Sequence, residues 1–296
     1  MALEQLTEGI RRIVAPNPSP LTYHGTNTYV LGNGRVAVLD PGPEIATHLQ
    51  AILDGLGTAE TVAAILVTHA HLDHSEGART LATRTGAPVF AYGPPQAGRS
   101  AVMETLAAEG LAGGGEGVDA SFFPDQVLGH GTRLSLGDWA VTALFTPGHF
   151  CNHLSFRMGE AIFTGDVVMG WSSTLISPPD GDLGDYYESL DVLAAENAQV
   201  FYPAHGDPIT DPAARLAELR AHRAARTEQI LATLADQGPA TTTALTAAIY
   251  TDTPPDLQFA ARRNVFAHLV ELEKAGRVSA TPTLASEAVF MLCPSG

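Results

Sequence analysis

The chain has 296 residues, of which 45% are hydrophobic, and 16 Lys and Arg stand against 32 Asp and Glu for a net charge of −16. That length holds one large domain with a sizeable core plus a small one, and that charge repels a phosphate backbone at long range, which disfavours nucleic acid as a partner. Cys151 and Cys293 are too few for a disulfide framework, residues 1–20 hold no signal-peptide core, and no window reaches the ~20 apolar residues of a membrane span, so a cytoplasmic protein without a membrane partner is expected.

In chain order, short apolar runs predict strands at 27–32 and 35–40, then a helix over 44–55. A strand at 63–68 runs into Thr68-His69-Ala70-His71-Leu72-Asp73-His74, followed by a helix over 75–85 and a strand at 88–91. Residues 110–117 hold glycines at 110, 113, 114, 115 and 117 and read as a flexible loop. Strands follow at 140–146, 153–157 and 160–164. Residues 172–183, with Pro178-Pro179, read as an ordered loop that could wall a site near Asp166. A helix over 183–196, a strand at 199–202 and a long run of helix formers over 212–236 complete a first domain, 1–236. Gln237-Gly238-Pro239 marks a boundary. Beyond it, residues 239–296 predict helices over 241–249 and 257–275, then a hairpin from 276–280 and 288–292. Helix, helix, hairpin is the order of a winged helix. Strands mixed with helices give an α+β class.

The chemistry concentrates at strand ends. Three imidazoles and a carboxylate lie within His69–His74, just past an apolar run. Thr146-Pro147-Gly148-His149, Phe163-Thr164-Gly165-Asp166 and Tyr202-Pro203-Ala204-His205-Gly206 each put one His or Asp just past another run. Neutral imidazole and carboxylate suit zinc and similar borderline cations. Five histidines and two aspartates in this arrangement predict a site for two divalent ions, zinc foremost. Such ions lower the pKa of a water from 15.7 to about 7 and neutralise an oxyanion, so a bridging hydroxide could attack an electrophilic carbon or phosphorus.

These motifs, in this order, resemble those of the metallo-β-lactamase-fold hydrolases. Asn17-Pro18, Gly25-Thr26-Asn27-Thr28-Tyr29 and Val38-Leu39-Asp40-Pro41-Gly42 resemble that family's opening strands. The resemblance spans roughly residues 9 to 230 and implies a four-layer αββα fold. It assigns His69, His71 and His149 to a first metal, Asp73, His74 and His205 to a second, and Asp166 to both. Asp73 would also orient the hydroxide or accept its proton. Members with a di-iron redox centre tend to carry Glu at the position of His71, so His there favours the hydrolytic branch. The persulfide-oxidising branch, which uses one iron, fits the same motif.

Other residues leave two readings each. Asp40 either supports a ligand histidine or caps the loop at Pro41-Gly42. His153 either acts beside the site, through its ligands or on substrate, or is a plain strand histidine. Cys151 reads first as packing and second as a redox-sensitive neighbour. His222, Arg223 and Arg226 form either an anion-binding rim or a solvated face, Arg220, Arg223 and Arg226 recurring at i+3.

A C-terminal winged helix also resembles one subgroup of the family, which includes an animal mitochondrial single-strand endoribonuclease. Yet residues 239–296 hold four basic residues (Arg262, Arg263, Lys274, Arg277) against five acids, a net of −1. A nucleic-acid reader should be basic. The unit reads instead as a packing or dimerisation module, or a lid at the mouth, whose removal should leave metal binding intact. The expected function is hydrolysis of a small-molecule ester, thioester, lactone or amide by a binuclear enzyme, with a homodimer as an expected assembly. The alternative is a metal-dependent endoribonuclease. A metabolite-sensing DNA-binding protein would need no hydroxide generator, and a secreted β-lactamase would not suit the appended domain.

Overall fold

The computed structural model describes residues 2–114 and 117–294. Seven strands form the first sheet in sequence order: β1 (Glu4–Thr7), β2 (Ile10–Val14), β3 (Asn27–Leu31), β4 (Arg35–Leu39), β5 (Thr61–Leu66), β6 (Val89–Ala91) and β7 (Gln126–Val127). The first four pair antiparallel and β4 through β7 pair parallel. Five strands form the second sheet: β8 (Arg133–Ser135), β9 (Ala140–Phe145), β10 (Leu154–Met158), β11 (Ala161–Gly165) and β12 (Val200–Pro203). Only β11 and β12 pair parallel in it.

Side-chain alternation builds the layers. Successive residues of a strand point to opposite faces, so a strand covered on both sides is apolar throughout. On β4 and β5, Ala37, Leu39, Ala64 and Leu66 join Val141, Leu154, Phe156 and Phe163 between the sheets. Their neighbours Val36, Val38 and Ile65 face outward and pack with Leu49, Ile52 and Leu81. Those leucines and isoleucine come from α1 (Ala46–Asp54) and, beyond the short α2 (Leu72–Ser75), from α3 (Ala78–Thr85). A further helix, α4 (Ala101–Ala108), precedes the glycine-rich stretch, where Gly115 and Glu116 lie outside the described residues. On the far side, Ile162 and Phe201 pack with Leu190, Leu193, Leu216 and Leu219 of α5 (Leu183–Ala195) and α6 (Pro212–Gln237). Helix, sheet, sheet, helix is the four-layer αββα order expected.

α6 starts with Asp211, whose side chain accepts from Ala214 N at 3.0 Å, and with Pro212 in its first turn. It runs unbroken for 26 residues and ends before Gly238, at φ +79°. Leu216 and Leu219 sit in the core that α5 and α6 form against the second sheet. Ile230, Leu231 and Leu234 sit in a separate core with Leu245, Val265, Phe266, Leu269 and Phe290. That core joins α7 (Thr242–Ile249), α8 (Gln258–Lys274) and a three-stranded sheet of β13 (Ala240–Thr241), β14 (Val278–Thr281) and β15 (Val289–Leu292). One helix therefore belongs to both cores. No helix among the described residues is long and apolar enough to cross a membrane.

Candidate metal centre

The loops after β5, β9, β11 and β12 meet at one edge of the sandwich and bring seven side chains together. His69 follows β5. His71 flanks α2 at its N-terminus in extended conformation, and Asp73 and His74 lie on that single turn. His149, Asp166 and His205 follow β9, β11 and β12. All seven are buried.

They fall into two groups able to hold a cation: His69, His71, His149 and Asp166, and Asp73, His74 and His205. In the first, His71 Nδ1 lies 2.9 Å from His69 Nε2 and 3.1 Å from His149 Nε2. In the second, Asp73 Oδ2 lies 3.2 Å from His74 Nε2 and 3.3 Å from His205 Nε2. Asp166 faces both groups. Its Oδ2 is 3.5 Å from His149 Nε2, and its Oδ1 is 3.3 Å from His205 Nε2 and 3.6 Å from His74 Nε2.

The far side of each ring sets its tautomer. His149 Nδ1 faces Leu175 O at 2.7 Å, and His205 Nδ1 faces Gly25 O at 3.2 Å. A carbonyl only accepts, so both Nδ1 atoms carry a proton. His74 Nδ1 donates to Asp40 Oδ2 at 3.0 Å. Thr68 Oγ1 donates to that same Asp40 oxygen at 2.8 Å, so it accepts from His69 Nδ1 at 3.0 Å. Neutral, these four rings all aim an Nε2 lone pair inward, where they meet each other and the Asp166 oxygens. Inward-facing lone pairs and carboxylate oxygens repel unless a positive charge lies among them. Asp166 Oδ1 and His74 Nε2 are also buried without a hydrogen-bond partner. The donor set fits cations.

Electrostatics agree. Burial pushes His69 and His71 toward the neutral form, the latter to about 3, and the neighbouring imidazoles reinforce it. Burial also opposes the charge on His205, but Asp166 and Asp73 override it and raise the ring to about 10. His74 is raised in the same way, against burial, by Asp73, Asp166 and Asp40. Asp73 is held low against burial by His74 and His205. The two carboxylates thus favour positive charge at His74 and His205, and a divalent ion held there would supply it in place of protons.

Asp40 holds His74, one of the seven gathered side chains, through its carboxylate. Its backbone is left-handed, φ 47°, which is costly for a non-glycine residue. Thr68 N at 2.7 Å, Thr68 Oγ1 and His74 Nδ1 hold its carboxylate. Asp40→Ala should weaken cation binding about 10- to 100-fold, the usual cost of losing such a partner; titration against a chromophoric chelator measures it.

His153 is buried behind the site. Its Nε2 accepts from Asp166 N at 3.2 Å and its Nδ1 pairs with Thr146 Oγ1 at 3.0 Å. It holds the Asp166 loop and is not among the residues that line the cavity above the seven. Gly165, at φ +50°, makes room for it, since a Cβ there would lie 2.4 Å from His153 Nε2. Cys151 is a packing residue: burial pushes its thiol up to about 12, and Sγ bonds Pro95 O.

The anion-binding rim does not form. Arg223 is 1% exposed, enclosed by Tyr186 of α5, Asn264 of α8 and the segment at Thr174; its guanidinium bonds Thr174 O and Asn264 Oδ1. Arg226 stacks on the Tyr250 ring at 4.0 Å, and Arg220 pairs with Asp191. Only His222 of the expected trio lines the cavity above the seven residues.

That cavity encloses about 210 Å³. His71, His149, Asp166 and His205 form its floor. Leu21, Met169, Trp171 and Leu175 make an apolar wall, and Tyr250, Leu257 and Ala261 of the C-terminal unit close the opposite side. Residues 172–175 contribute to the wall, as the loop reading anticipated. Trp171 stacks on Tyr23, ring centres 4.8 Å apart, with 37% and 41% of the two residues exposed.

Sequence reasoning passed over several supporting groups. Thr26 Oγ1 donates to Asp73 Oδ2 at 3.0 Å, and Asn27 Nδ2 binds Pro203 O and Gly206 O on either side of His205. The signal was available: Thr26-Asn27-Thr28 is a polar run at the start of β3, all of it buried.

Comparison with known proteins agrees with this architecture. The metallo-beta-lactamase superfamily profile matches residues 21–205, and the beta-lactamase associated winged helix domain matches 241–285. A lactamase-like protein, adaB, of Aspergillus niger is 32% identical over 78% of this chain, which spans 66% of that protein's length. The beta-lactamase-like protein 2 homolog of Drosophila melanogaster is 29% identical over 99% of this chain and 97% of its own. An atrochrysone carboxyl ACP thioesterase of Aspergillus chevalieri is 31% identical, covering 78% and 68%. Among solved structures, a metallo-beta-lactamase family protein of Thermus thermophilus superposes with TM-score 0.76 at 26% identity over 96% of this chain and 99% of its own. A second structure, in a di-iron-bound form, gives 0.51 at 27% identity over 71% and 96%.

Proposed function

The chain belongs to the metallo-beta-lactamase superfamily, and from that premise we propose that it is a binuclear metal-dependent hydrolase of a small acyl compound, a thioester or ester first. The observation that carries this reading is Asp166, whose two oxygens face different imidazole groups on the floor of one cavity. His69, His71 and His149 would hold one cation, Asp73, His74 and His205 the other, with Asp166 between them. Two divalent cations, when bound, supply a water acidic enough to attack at neutral pH and neutralise the charge developing on the acyl oxygen. Imidazole and carboxylate donors favour zinc; elemental analysis returning iron, the metal of one structural relative, would correct that choice.

The residues around the cations divide the remaining work. Asp73 Oδ2 is engaged by Thr26, while Oδ1 is buried without a partner. That oxygen is free to accept a hydrogen bond from the attacking water and so orient it. The apolar wall of Leu21, Met169, Trp171 and Leu175 excludes water and suits an acyl chain. Apart from the residues of the floor, His222 and Tyr250 are the titratable side chains on the described lining, and no Lys or Arg stands there to clamp a phosphate. A thioester is favoured further by the thioesterase among the relatives.

A second reading, cleavage of single-stranded RNA, is favoured by one observation. The exposed Tyr23–Trp171 stack at the cavity offers a platform for a base. The net charge of −16 opposes it. The test is a panel: a thioester, a lactone, a phosphodiester, a cephalosporin and a single-stranded RNA, each given to metal-loaded protein and to His69→Ala. Turnover of the thioester or lactone, lost in the variant, is expected. Cleavage of RNA alone would replace the first reading with the second.

A further inference from the structure

The side of the cavity formed by the C-terminal unit does more than cover it. Residues 174–176 form an irregular segment between β11 and α5, and each contributes one backbone group to a different contact. Leu175 O receives His149 Nδ1 at 2.7 Å, and Thr174 Oγ1 lies 3.0 Å from that same nitrogen. On either side, Thr174 O accepts from Arg223 Nη2 of α6, and Ile176 N donates to Asn264 Oδ1 of α8 at 3.1 Å. Arg223 Nη1 donates to the same Asn264 oxygen at 2.9 Å. The middle carbonyl that orients His149 is thus held at both flanks, and Asn264 joins the two holds. Behind His149, Gly148 presses on Tyr186: a Cβ at Gly148 would lie 2.4 Å from Tyr186 Cα. The guanidinium of Arg223 lies 5.5 Å from the centre of the Tyr186 ring.

Irregular backbone lacks a ladder to fix it, so a carbonyl within it aims steadily only if side chains hold its neighbours. We propose that Asn264 of the C-terminal unit, acting with Arg223, is a positioning residue for the metal centre: it fixes the 174–176 segment, whose Leu175 carbonyl sets the tautomer and direction of His149. The inference rests on the reading of His149 as a ligand. It makes the C-terminal unit part of the centre, against the sequence-based expectation that its removal would leave metal binding intact.

The test is a cobalt(II) titration of the full-length protein, followed by visible absorption and by competition with a chromophoric chelator. Asn264→Ala should weaken one of two equivalents about 10- to 100-fold and alter its absorption band. The same equivalent should be lost in His149→Ala. Asn264→Asp keeps an acceptor for both Ile176 N and Arg223 and should titrate near wild type. If Asn264→Ala does not fold, Arg223→Lys, which keeps the charge but loses the fork, reads the same equivalent. A wild type with two cations and an Asn264→Ala variant (or, in its place, Arg223→Lys) that titrates identically overturns the inference alone. A wild type that takes up no cation overturns the hydrolase reading and this inference together.

Discussion

His69→Ala is expected to abolish hydrolysis of the thioester or ester substrate, by at least about a thousandfold, or ~4 kcal/mol of transition-state stabilisation. His69 sits at the centre of the first group, its Nε2 2.9 Å from His71 Nδ1 and its ring centre 4.1 Å from that of His74 and 5.0 Å from that of His149. It is completely buried. Removing it takes the first group from three imidazoles and one carboxylate oxygen to two imidazoles and that shared oxygen, which weakens the hold on its cation and moves it from the place that His69 fixes. Chelation of the wild type should cause the same loss. Added zinc should then restore the wild type and fail to restore the variant. Thermal unfolding separates this from collapse, because the sheets are packed by Leu66, Phe156 and Phe163, none of which touches the change in chemistry. Full turnover by metal-free protein would sink the mechanism.

The fold was legible where burial is two-sided. Ala64-Ile65-Leu66 alternates between two cores, so an unbroken apolar run was the right sign of a covered strand. Strand β5 nonetheless begins and ends two residues earlier than the expected 63–68, because the apolar run continues past the ladder into Val67 on the way to the site. The helix expected over 75–85 starts only at Ala78, separated from the turn of α2 by Gly77, whose N–H bonds Gly42 O and whose missing Cβ leaves Leu49 its place. That break depends on a partner thirty-five residues away, which local propensity does not contain. Strand β1, with its exposed Glu4 and Gln5, and the short α4 carry little periodic signal and were not anticipated.

The site was legible for a different reason. A cation accepts few residue types, so His and Asp just past strand ends stand out whatever folds around them. The residues that hold the gathered side chains and the segment beside them are ordinary Thr, Asn and Arg. Thr26 reaches Asp73, Thr174 reaches His149, and Asn264 reaches Ile176 across 88 positions. Arg223 was misread because an i+3 series identifies a face of a helix without saying what covers it. Here Tyr186 of α5, Asn264 of α8 and the segment at Thr174 do.

Asp166→Ala is the variant whose outcome bears most directly on the number of cations. Metal content should fall from two per chain to one or fewer, and hydrolysis should fall about as far as in His69→Ala. Each oxygen of Asp166 faces its own group: Oδ2 lies 3.5 Å from His149 Nε2, and Oδ1 lies 3.3 Å from His205 Nε2. The backbone holds it there, through Asp166 N donating to His153 and through Ala204 N bonding Gly165 O, which ties this loop to the strand end before His205. Without the carboxylate, the first group keeps three imidazoles, a complete set of protein ligands for zinc. The second keeps Asp73, His74 and His205, but loses the negative charge shared with its neighbour. Two divalent ions brought close without a bridging carboxylate repel each other, so binding at one site should weaken binding at the other. Elemental analysis of the purified variant, with titration of the second equivalent, reads this directly. Asp166→Asn is the finer probe, since it keeps the shape and removes the charge. Unchanged stoichiometry in both variants would show that Asp166 does not bridge, and that each group of three holds its ion alone.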